Sequence, residues 1–408
     1  MVRAPLTESP HPQSVIRLAV VVSHPIQYYA PWFRLLACEP GISLKVFHLW
    51  DFGVAPRADR GFGHTLVWDV PLLEGYAHCF VANRAADPGT HHFAGLHNPT
   101  LVPELLAWQP DALLLFGYAY RSHLTLLLHP RLRRLPVLFR GDSHGLCPRP
   151  SLRPRLAGLL RRLLFQRFAA ALAVGQANAA WLRASGVPQQ RIVIGPHAVD
   201  NQRFQAAAPV AVQEAQQWRQ ELGIASQAPV LLFAGKFEAK KCPLQLLEAF
   251  AALKHPQAVL VLAGAGVLEG EIRRRAAAHS EPRVVLLPFQ NQSAMPRLYA
   301  LADLVVLPSQ GPGETWGLCI NEAMNLARPA LVSSHVGCGP DLVIPGRTGW
   351  IFPAGDQLAL RSQIAEALED PGRLRAMGLQ ARAHVATHSY EAATAALRQA
   401  LTLIGVRR

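Results

Sequence analysis

The folding unit of this chain is clearest in residues 304–334, which read LVVLPSQGPGETWGLCINEAMNLARPALVSS. Two short apolar runs, LVVLPS and PALVSS, flank a segment with the residue spacing of a helix. Strands that alternate with helices are typical of parallel sheets covered on both faces. This stretch therefore predicts an α/β unit in the second half of the chain.

The same alternation extends outward in both directions. Strands are predicted at 15–23, 43–50, 111–117, 136–142, 170–175 and 191–196, and again at PVLLFAGKF, AVLVLAGAG, RVVLLPFQ, LVVLPS, PALVSS and GWIFP. Residues 201–228 carry no strand pattern and separate the two series. We predict two Rossmann-like, doubly wound α/β domains facing a cleft, an N-terminal one at 15–205 and a C-terminal one at 228–390. A flexible tail at 1–14 precedes them, and a helix within 391–408 is expected to pack back on the N-terminal domain.

Composition narrows the class of protein. Of 408 residues, 50% are hydrophobic and 16% are charged, which excludes a disordered or collagen-like chain. Six scattered cysteines without C-x-x-C spacing indicate thiols in a reducing compartment. With neither a spanning apolar run nor a signal-peptide pattern, we expect a cytoplasmic protein.

Positive charge is concentrated in one part of the chain. The net charge is +13, and residues 121–167 contain 11 arginines and a single acidic residue, Asp142. Such a field attracts nucleic acid, anionic lipid or anionic substrates, and charge alone does not choose among them.

Two motifs of the second half could bind phosphate. In GKFEAKK (235–241), Gly235 permits a tight turn after a strand, and Lys236 and Lys241 lie near a helix N-terminus. In ETWGLCINE (314–322), the backbone amides of Gly317 and Leu318 fall in the first turn of a helix. Taken singly, an exposed basic turn explains GKFEAKK equally well, and solvated helix-terminal charges explain ETWGLCINE better.

The same ETWGLCINE motif carries two carboxylates. If Glu314 starts the helix, Glu322 lies two turns in, about 12 Å further along its axis. Carboxylates accept paired hydrogen bonds from vicinal sugar hydroxyls, so the pair could contact two ends of an extended ligand.

The first domain offers polar groups where strands end. SHPIQYYAPW places His24 and Gln27 after the first strand, and FRGDSHG places Arg140, Asp142 and His144 after a later one. We expect all five at the rim of the cleft.

Other patterns argue against a metal or a dinucleotide. The glycines of VLVLAGAGVLEG miss the dinucleotide spacing and indicate a close-packed turn. The histidines of HHFAGLH, namely His91, His92 and His97, have no flanking carboxylate and are expected in a loop rather than on a metal. The chain has no Walker loop, H-E-x-x-H or D-x-D motif. We therefore predict no metal site.

In combination, the motifs of the second half resemble a known family. GKFEAKK resembles the G-R-x-x-x-x-K element of family 4 retaining glycosyltransferases. PSQGPGETWGLCINEAMNLARPALVSSHVGCGPDLV (308–343) resembles their P-S-x-x-E-x-x-G-x-x-x-x-E-A-M block, and GRTGWIFPAGD (346–356) resembles the element that follows it. The resemblance covers 229–390 by motif and 15–200 by layout.

That resemblance implies a GT-B fold and a retaining transfer of a sugar from a nucleotide-sugar donor, without a bound metal or a tightly bound cofactor. Its residue roles would place Lys236 and Lys241 on the donor diphosphate, Gly317 and Leu318 as amide donors, Glu322 on the ribose, Glu314 on the donor sugar and the backbone near Phe289 at the base.

The chain departs from the family pattern at several positions. Lys236 replaces an arginine and loses its planar fork. Cys242 and Ala327 stand where glycine is usual, and Asp341 replaces a glutamate. Many members have a histidine where this chain has Asp142. We take Asp142 and Glu314 as the catalytic candidates, with the acceptor, of unknown identity, approaching from the first domain.

Two other functions stay open at this stage. One is a nucleotide-sugar epimerase on the same fold. The other is a basic protein with a degenerate transferase core that binds a membrane or nucleic acid, although RNA-binding signatures are missing.

Residues 151–168 motivate a partner prediction of their own. Arginines flank leucines there, at Arg153, Arg155, Arg161, Arg162, Arg167, Leu156, Leu159, Leu160, Leu163 and Leu164, together with Phe165. Such a helix can associate peripherally with an anionic membrane surface. The alternative is that the leucines belong to the core.

Overall fold

A computed structural model describes residues 15–59, 61–147, 154–253, 255–278 and 283–406. The predicted tail at 1–14 and Arg153 lie outside the described residues.

The first domain begins with a strand and alternates as predicted. Its strands are β1 Ile16–Val22, β2 Ile42–His48, β3 Arg57–Asp59, β4 His64–Leu66, β5 His78–Phe80, β6 Ala112–Phe116, β7 Val137–Gly141, β8 Ala170–Ala173 and β9 Ile192–Ile194. Its helices are α1 Ala30–Ala37, α2 Leu101–Trp108, α3 Arg121–Leu128, α4 Pro154–Phe165 and α5 Gln176–Ala184.

The second domain has the same alternation of strands and helices. Its strands are β10 Val230–Ala234, β11 Val259–Ala263, β12 Arg283–Leu287, β13 Leu304–Leu307, β14 Ala330–Ser333 and β15 Gly349–Phe352. The helices of this half are α6 Asn201–Glu221, α7 Pro243–Ala251, α8 Glu269–Ala277, α9 Met295–Leu301, α10 Leu318–Asn325, α11 Gly339–Leu342, α12 Gln357–Glu369, α13 Pro371–Val385 and α14 Tyr390–Leu403.

Each domain is built on one parallel sheet. The strand orders are β5-β2-β1-β6-β7-β8-β9 and β12-β11-β10-β13-β14-β15. Both faces of each sheet are buried: along β1, Leu18 and Val20 join one core cluster while Ala19 and Val21 join another. Burial on both faces explains why these strands are continuous apolar runs. The predicted class, two doubly wound α/β domains, is confirmed.

Two helices connect the domains. Helix α6 fills the region without strands and packs against α9 and α10 of the second domain. Helix α14 returns to the first domain, where it contacts α1, β8 and β9, and Thr394 accepts a 3.0 Å hydrogen bond from the Trp32 indole.

Three short strands were not predicted. β3 pairs with β4 in a separate antiparallel hairpin, and β5 joins the edge of the first sheet. Each has three residues, too short for a recognisable alternation of apolar and polar side chains. Among the described residues, none of the helices combines the length and apolarity needed to cross a membrane.

Candidate active site

Loops that follow the carboxyl ends of strands in the two sheets meet across the cleft. Thr315 of the second domain donates a 2.7 Å hydrogen bond to Asp142 Oδ2, just beyond β7 of the first. Two residues after Asp142, His144 has its Nε2 atom 3.0 Å from the carbonyl oxygen of Glu314. These contacts place Asp142 and His144, two of the predicted first-domain residues, beside the loop that contains Glu314.

An ion pair forms the centre of the second-domain side. The Lys241 ammonium donates to Glu314 Oε2, and the Ser309 hydroxyl donates to the same oxygen at 2.7 Å. Burial works to lower the pKa of Lys241, but attraction to Glu314 outweighs it and raises the pKa above its usual value. The ammonium is therefore charged near neutrality. Ser309 is the serine of the P-S pair that opens the family block, but it was not among the predicted site residues.

The start of α10 presents free amides beside this pair. Gly317 has φ +99°, and a Cβ there would lie 2.8 Å from Leu307 Cδ2, so glycine is required. The helix begins at Leu318, as the two predicted amide donors require. Glu314, however, precedes the helix by four residues, so the expectation that it starts the helix, and the 12 Å spacing derived from it, are wrong. A proline–glycine turn at Pro312 and Gly313 keeps this segment outside the helix.

Glu322 lies on the buried side of α10. It is 1% exposed, accepts a 2.7 Å hydrogen bond from the Tyr299 hydroxyl and has Gln292 Nε2 at 3.4 Å. Burial raises the pKa of its carboxyl. With Tyr28 of the first domain and Phe289, it borders a cavity of about 110 Å³.

Glycine permits close packing at the edge of that cavity. A Cβ at Gly264 would lie 1.9 Å from the carbonyl oxygen of Gly235, so the two strand ends touch through backbone. This agrees with a close-packed turn in VLVLAGAGVLEG.

The β3–β4 hairpin of the first domain covers the opposite wall. Phe62, in its turn, packs on Phe289 with ring centroids 4.6 Å apart. Asp59 binds Lys236 at 2.8 Å, and the same ammonium lies 4.6 Å from the Phe62 ring centre. Asp59 was missed because its strand is only three residues long.

His24 and Gln27, also predicted in the first domain, lie in different surroundings. His24 lies between Ser23, 2.9 Å from its Nδ1, and the edges of two aromatic rings, and burial lowers its pKa to about 4, so it is neutral at pH 7. Gln27 lines a neighbouring cavity of about 460 Å³ together with Arg34 and Arg203.

The predicted position of the Arg140 side chain is wrong. Its side chain was expected at the cleft rim, but the residue is 2% exposed and donates to the carbonyls of Gly195 at 2.9 Å and Pro196 at 3.2 Å. The guanidinium also lies 4.8 Å from the Trp32 ring centre. It stabilises the end of the sheet and leaves Asp142 and His144 to face the second domain.

The histidine cluster also differs from expectation. A carboxylate does flank it: Asp87 Oδ2 lies 3.0 Å from His91 Nε2 and 3.6 Å from His92 Nε2. These three exposed side chains are close enough together to hold a metal ion. Asp87 lies four residues before His91 and therefore outside the HHFAGLH segment.

The fold is that of the GT-B glycosyltransferases, and comparisons with known proteins agree. Residues 214–384 match the family model described as glycosyl transferases group 1. This match confirms that the second half of the chain resembles family 4 glycosyltransferases.

Curated relatives are similar over part of the chain. D-inositol 3-phosphate glycosyltransferases from Xylanimonas cellulosilytica and Nocardia farcinica are 29% and 31% identical over 53% and 50% of this chain. The alignments cover 52% and 46% of those relatives, so the chain spans about half their length.

Solved structures match over nearly the whole chain. Anabaena HepE, crystallised with UDP and glucose, has a TM-score of 0.71 at 18% identity and covers 95% of this chain and 99% of its own. A glycosyltransferase from Rickettsia africae has a TM-score of 0.72 at 14% identity, with coverages of 96% and 99%. These matches confirm the GT-B fold.

Proposed function

We propose that this protein is a retaining, metal-independent glycosyltransferase that transfers a sugar from a nucleotide-sugar donor to an acceptor. The observation that carries the proposal is the grouping of a charged, partly buried Lys241, its partner Glu314 and the amino end of α10 at the cleft. This grouping lies within the segment that matches the glycosyltransferase family.

In this proposal, positive charge in the second domain holds the donor diphosphate. Lys241 and Lys236 supply ammonium groups, and Gly317 and Leu318 supply amides at a helix N-terminus, where the helix dipole also favours an anion. As the bond to the sugar breaks, negative charge builds on the leaving diphosphate. Fixed cations and amides stabilise that charge, the part that a metal ion plays in other transferases.

The nucleoside and the sugar occupy the two flanks of the diphosphate. Glu322, buried beside Phe289, accepts hydrogen bonds from the ribose hydroxyls, and the backbone near Phe289 meets the base. Glu314 receives the sugar hydroxyls near Lys241. Support for a nucleotide-sugar donor comes from the similarity in fold to the UDP-bound Anabaena protein.

The acceptor approaches from the first domain. Asp142, held by Thr315, and His144 face the cleft where the sugar would be transferred. Leu146 N–H donates to His144 Nδ1 at 3.2 Å, which leaves the proton on Nε2 directed at the second domain. Closure of the domains around donor and acceptor would exclude water.

A screen of nucleotide sugars without acceptor tests this function. Purified protein should slowly hydrolyse one donor and release a nucleoside diphosphate, and Lys241→Ala should abolish the release. Recovery of an epimerised nucleotide sugar would instead assign an epimerase. Absence of turnover with every donor, both alone and with mixed sugar acceptors, would contradict the proposal.

The proposed location is the cytoplasm. Cys38, Cys79, Cys242, Cys319 and Cys338 are free thiols, and free thiols are typical of a reducing compartment.

A further inference from the structure

Helix α4 presents an apolar strip to the solvent. Leu159, Leu160 and Leu163 are 54%, 58% and 55% exposed, so the alternative that these leucines form core is wrong. At 100° per residue they lie within about 100° of one another around the helix axis. Neighbouring exposed leucines on one helix are unusual for a surface that faces only water.

The opposite side of α4 fixes the helix to the domain. Phe165 is 1% exposed, and its ring centroid lies 5.3 Å from that of Phe139 and 5.0 Å from that of Tyr118. Just after the helix, Phe168 stacks on Phe139 at 4.7 Å. The exposed leucines therefore cannot turn inward without breaking this aromatic packing.

Positive charge surrounds the strip. Arg162 is exposed beside it, about 60° around the helix axis from Leu159. Arg167, just past the end of α4, donates to the carbonyls of Leu132 and Leu135 and so joins this end of the helix to the turn that carries exposed Arg131, Arg133 and Arg134. Within residues 121–167 the single acidic residue is Asp142, and its carboxylate is bound to Thr315 at the cleft. The arginine side chains of this segment, which has so few acidic residues in its sequence, are complementary to an anionic surface.

We propose that the first domain docks through α4 on an anionic lipid surface. The leucines enter the boundary between headgroups and acyl chains, and the arginines contact lipid phosphates. An anionic lipid surface accounts for both features, whereas a second copy of this chain would place arginines against arginines. The proposal is independent of the transferase function.

Vesicle flotation tests the docking. Wild-type protein should float with vesicles of mixed phosphatidylglycerol and phosphatidylcholine, remain behind with phosphatidylcholine alone, and detach as salt is raised. Leu160→Ser/Leu163→Ser should lower the partition coefficient about tenfold, since two apolar side chains no longer leave water. Arg133→Gln/Arg134→Gln should lower it about fivefold per arginine.

Helix α13 supplies the matched control, because Leu379 is 65% exposed and Arg375 is also exposed. Leu379→Ser/Arg375→Gln should float like wild type, with all variants keeping the wild-type melting temperature. Equal flotation with both kinds of vesicle, or undiminished flotation of the leucine variant, would overturn the proposal. Concentration-dependent dimerisation lost in that variant, without vesicle binding, would assign the strip to self-association instead.

Discussion

Three described residues other than glycine, namely Gln109, Cys242 and Ala327, have the positive φ that usually requires glycine. Cys242 has φ +55° and Ala327 has φ +56°, and these are the two positions where the family motif carries glycine. At Ala327 the reason is visible: Ala327 N–H bonds to Met324 O and Arg328 N–H to Ala323 O, the Schellman pattern that ends α10. The departures in sequence therefore leave the backbone course intact and add strain.

Ala327→Gly should raise the free energy of unfolding by about 0.5 kcal/mol. Relief of the left-handed conformation, worth about 1–2 kcal/mol, exceeds the entropy that glycine loses on folding. Ala323→Gly, within α10, is the control and should lower stability by more than about 1 kcal/mol, because it also removes a fully buried methyl group. Urea titration measures both, and a loss of stability in Ala327→Gly would show that the strain is absent.

Asp142→Asn tests whether this side chain serves the reaction. Asparagine keeps an oxygen for the 2.7 Å hydrogen bond from Thr315, so the melting temperature should change little. Turnover should fall steeply, because the charge facing the acceptor is gone. Thr315→Val, which removes the bond but keeps the carboxylate, should reduce turnover less. Full activity of Asp142→Asn would refute the role, and a large loss of melting temperature would make Asp142 structural.

Glu314 and Glu322 should fail in different ways. Glu322→Gln still accepts from Tyr299 but loses charge at the ribose, which weakens ground and transition states alike and mainly raises the donor KM. Glu314→Gln leaves Lys241 without its partner at the sugar being transferred and should mainly lower kcat. Steady-state kinetics with the donor found in the screen separates the two effects. A shared defect in KM alone would show that the two ends of the donor are assigned wrongly.

At the scale of elements, the β3–β4 hairpin governs access to the donor site. Asp59 forms an ion pair with Lys236, and Phe62 packs over Phe289. A cavity of about 110 Å³ remains beside Glu322. Pockets that hold ligands usually measure about 300–1,000 Å³. Donor binding is therefore expected to displace the hairpin.

Asp59→Asn should tighten binding of a nucleoside diphosphate by about fivefold, the upper range for a partly exposed ion pair. Asparagine can still accept from the amides of Gly61 and Phe62, so the turn is kept while the competing charge is lost. Asp51→Asn, which breaks the ion pair with Arg57 at the hairpin base, is the control and should leave affinity unchanged. Weaker binding in Asp59→Asn would show that Asp59 helps to hold the donor.

Strands that follow a continuous apolar run were predictable from sequence, even the three-residue β9, whereas β3, β4 and β5 have no such run. The strands of both sheets other than β5 follow apolar runs that burial on two faces demands, as along β1 and β10. Lys241, Glu314 and Glu322 could be selected because motif and strand end coincide. Asp59, Tyr28 and Arg140 could not be placed, since their positions depend on tertiary contacts.

At the scale of the molecule, the two domains are joined by polar contacts at the cleft. Asp341, where the family motif has glutamate, accepts from the Gln176 amide at 3.0 Å with both oxygens and so caps α5 of the other domain. Asp69 in turn accepts from the Ser293 amide at 3.1 Å. Apolar contacts accompany these hydrogen bonds, since Val174 and Val199 of the first domain belong to the same buried cluster as Trp316 of the second. A movement of the domains would therefore have to exchange both kinds of contact.

Calorimetric titration with UDP and GDP measures whether the second domain binds a donor diphosphate through Lys241. Wild-type protein should bind at least one of them, and Lys241→Ala should weaken that binding about tenfold or more, the loss of a charge-assisted hydrogen bond. Lys240→Ala is the control, since Lys240 is exposed and pairs with Glu238 at 3.2 Å, and it should bind like wild type. Equal affinity in all three proteins, or binding of neither nucleotide, would show that Lys241 does not hold a donor diphosphate.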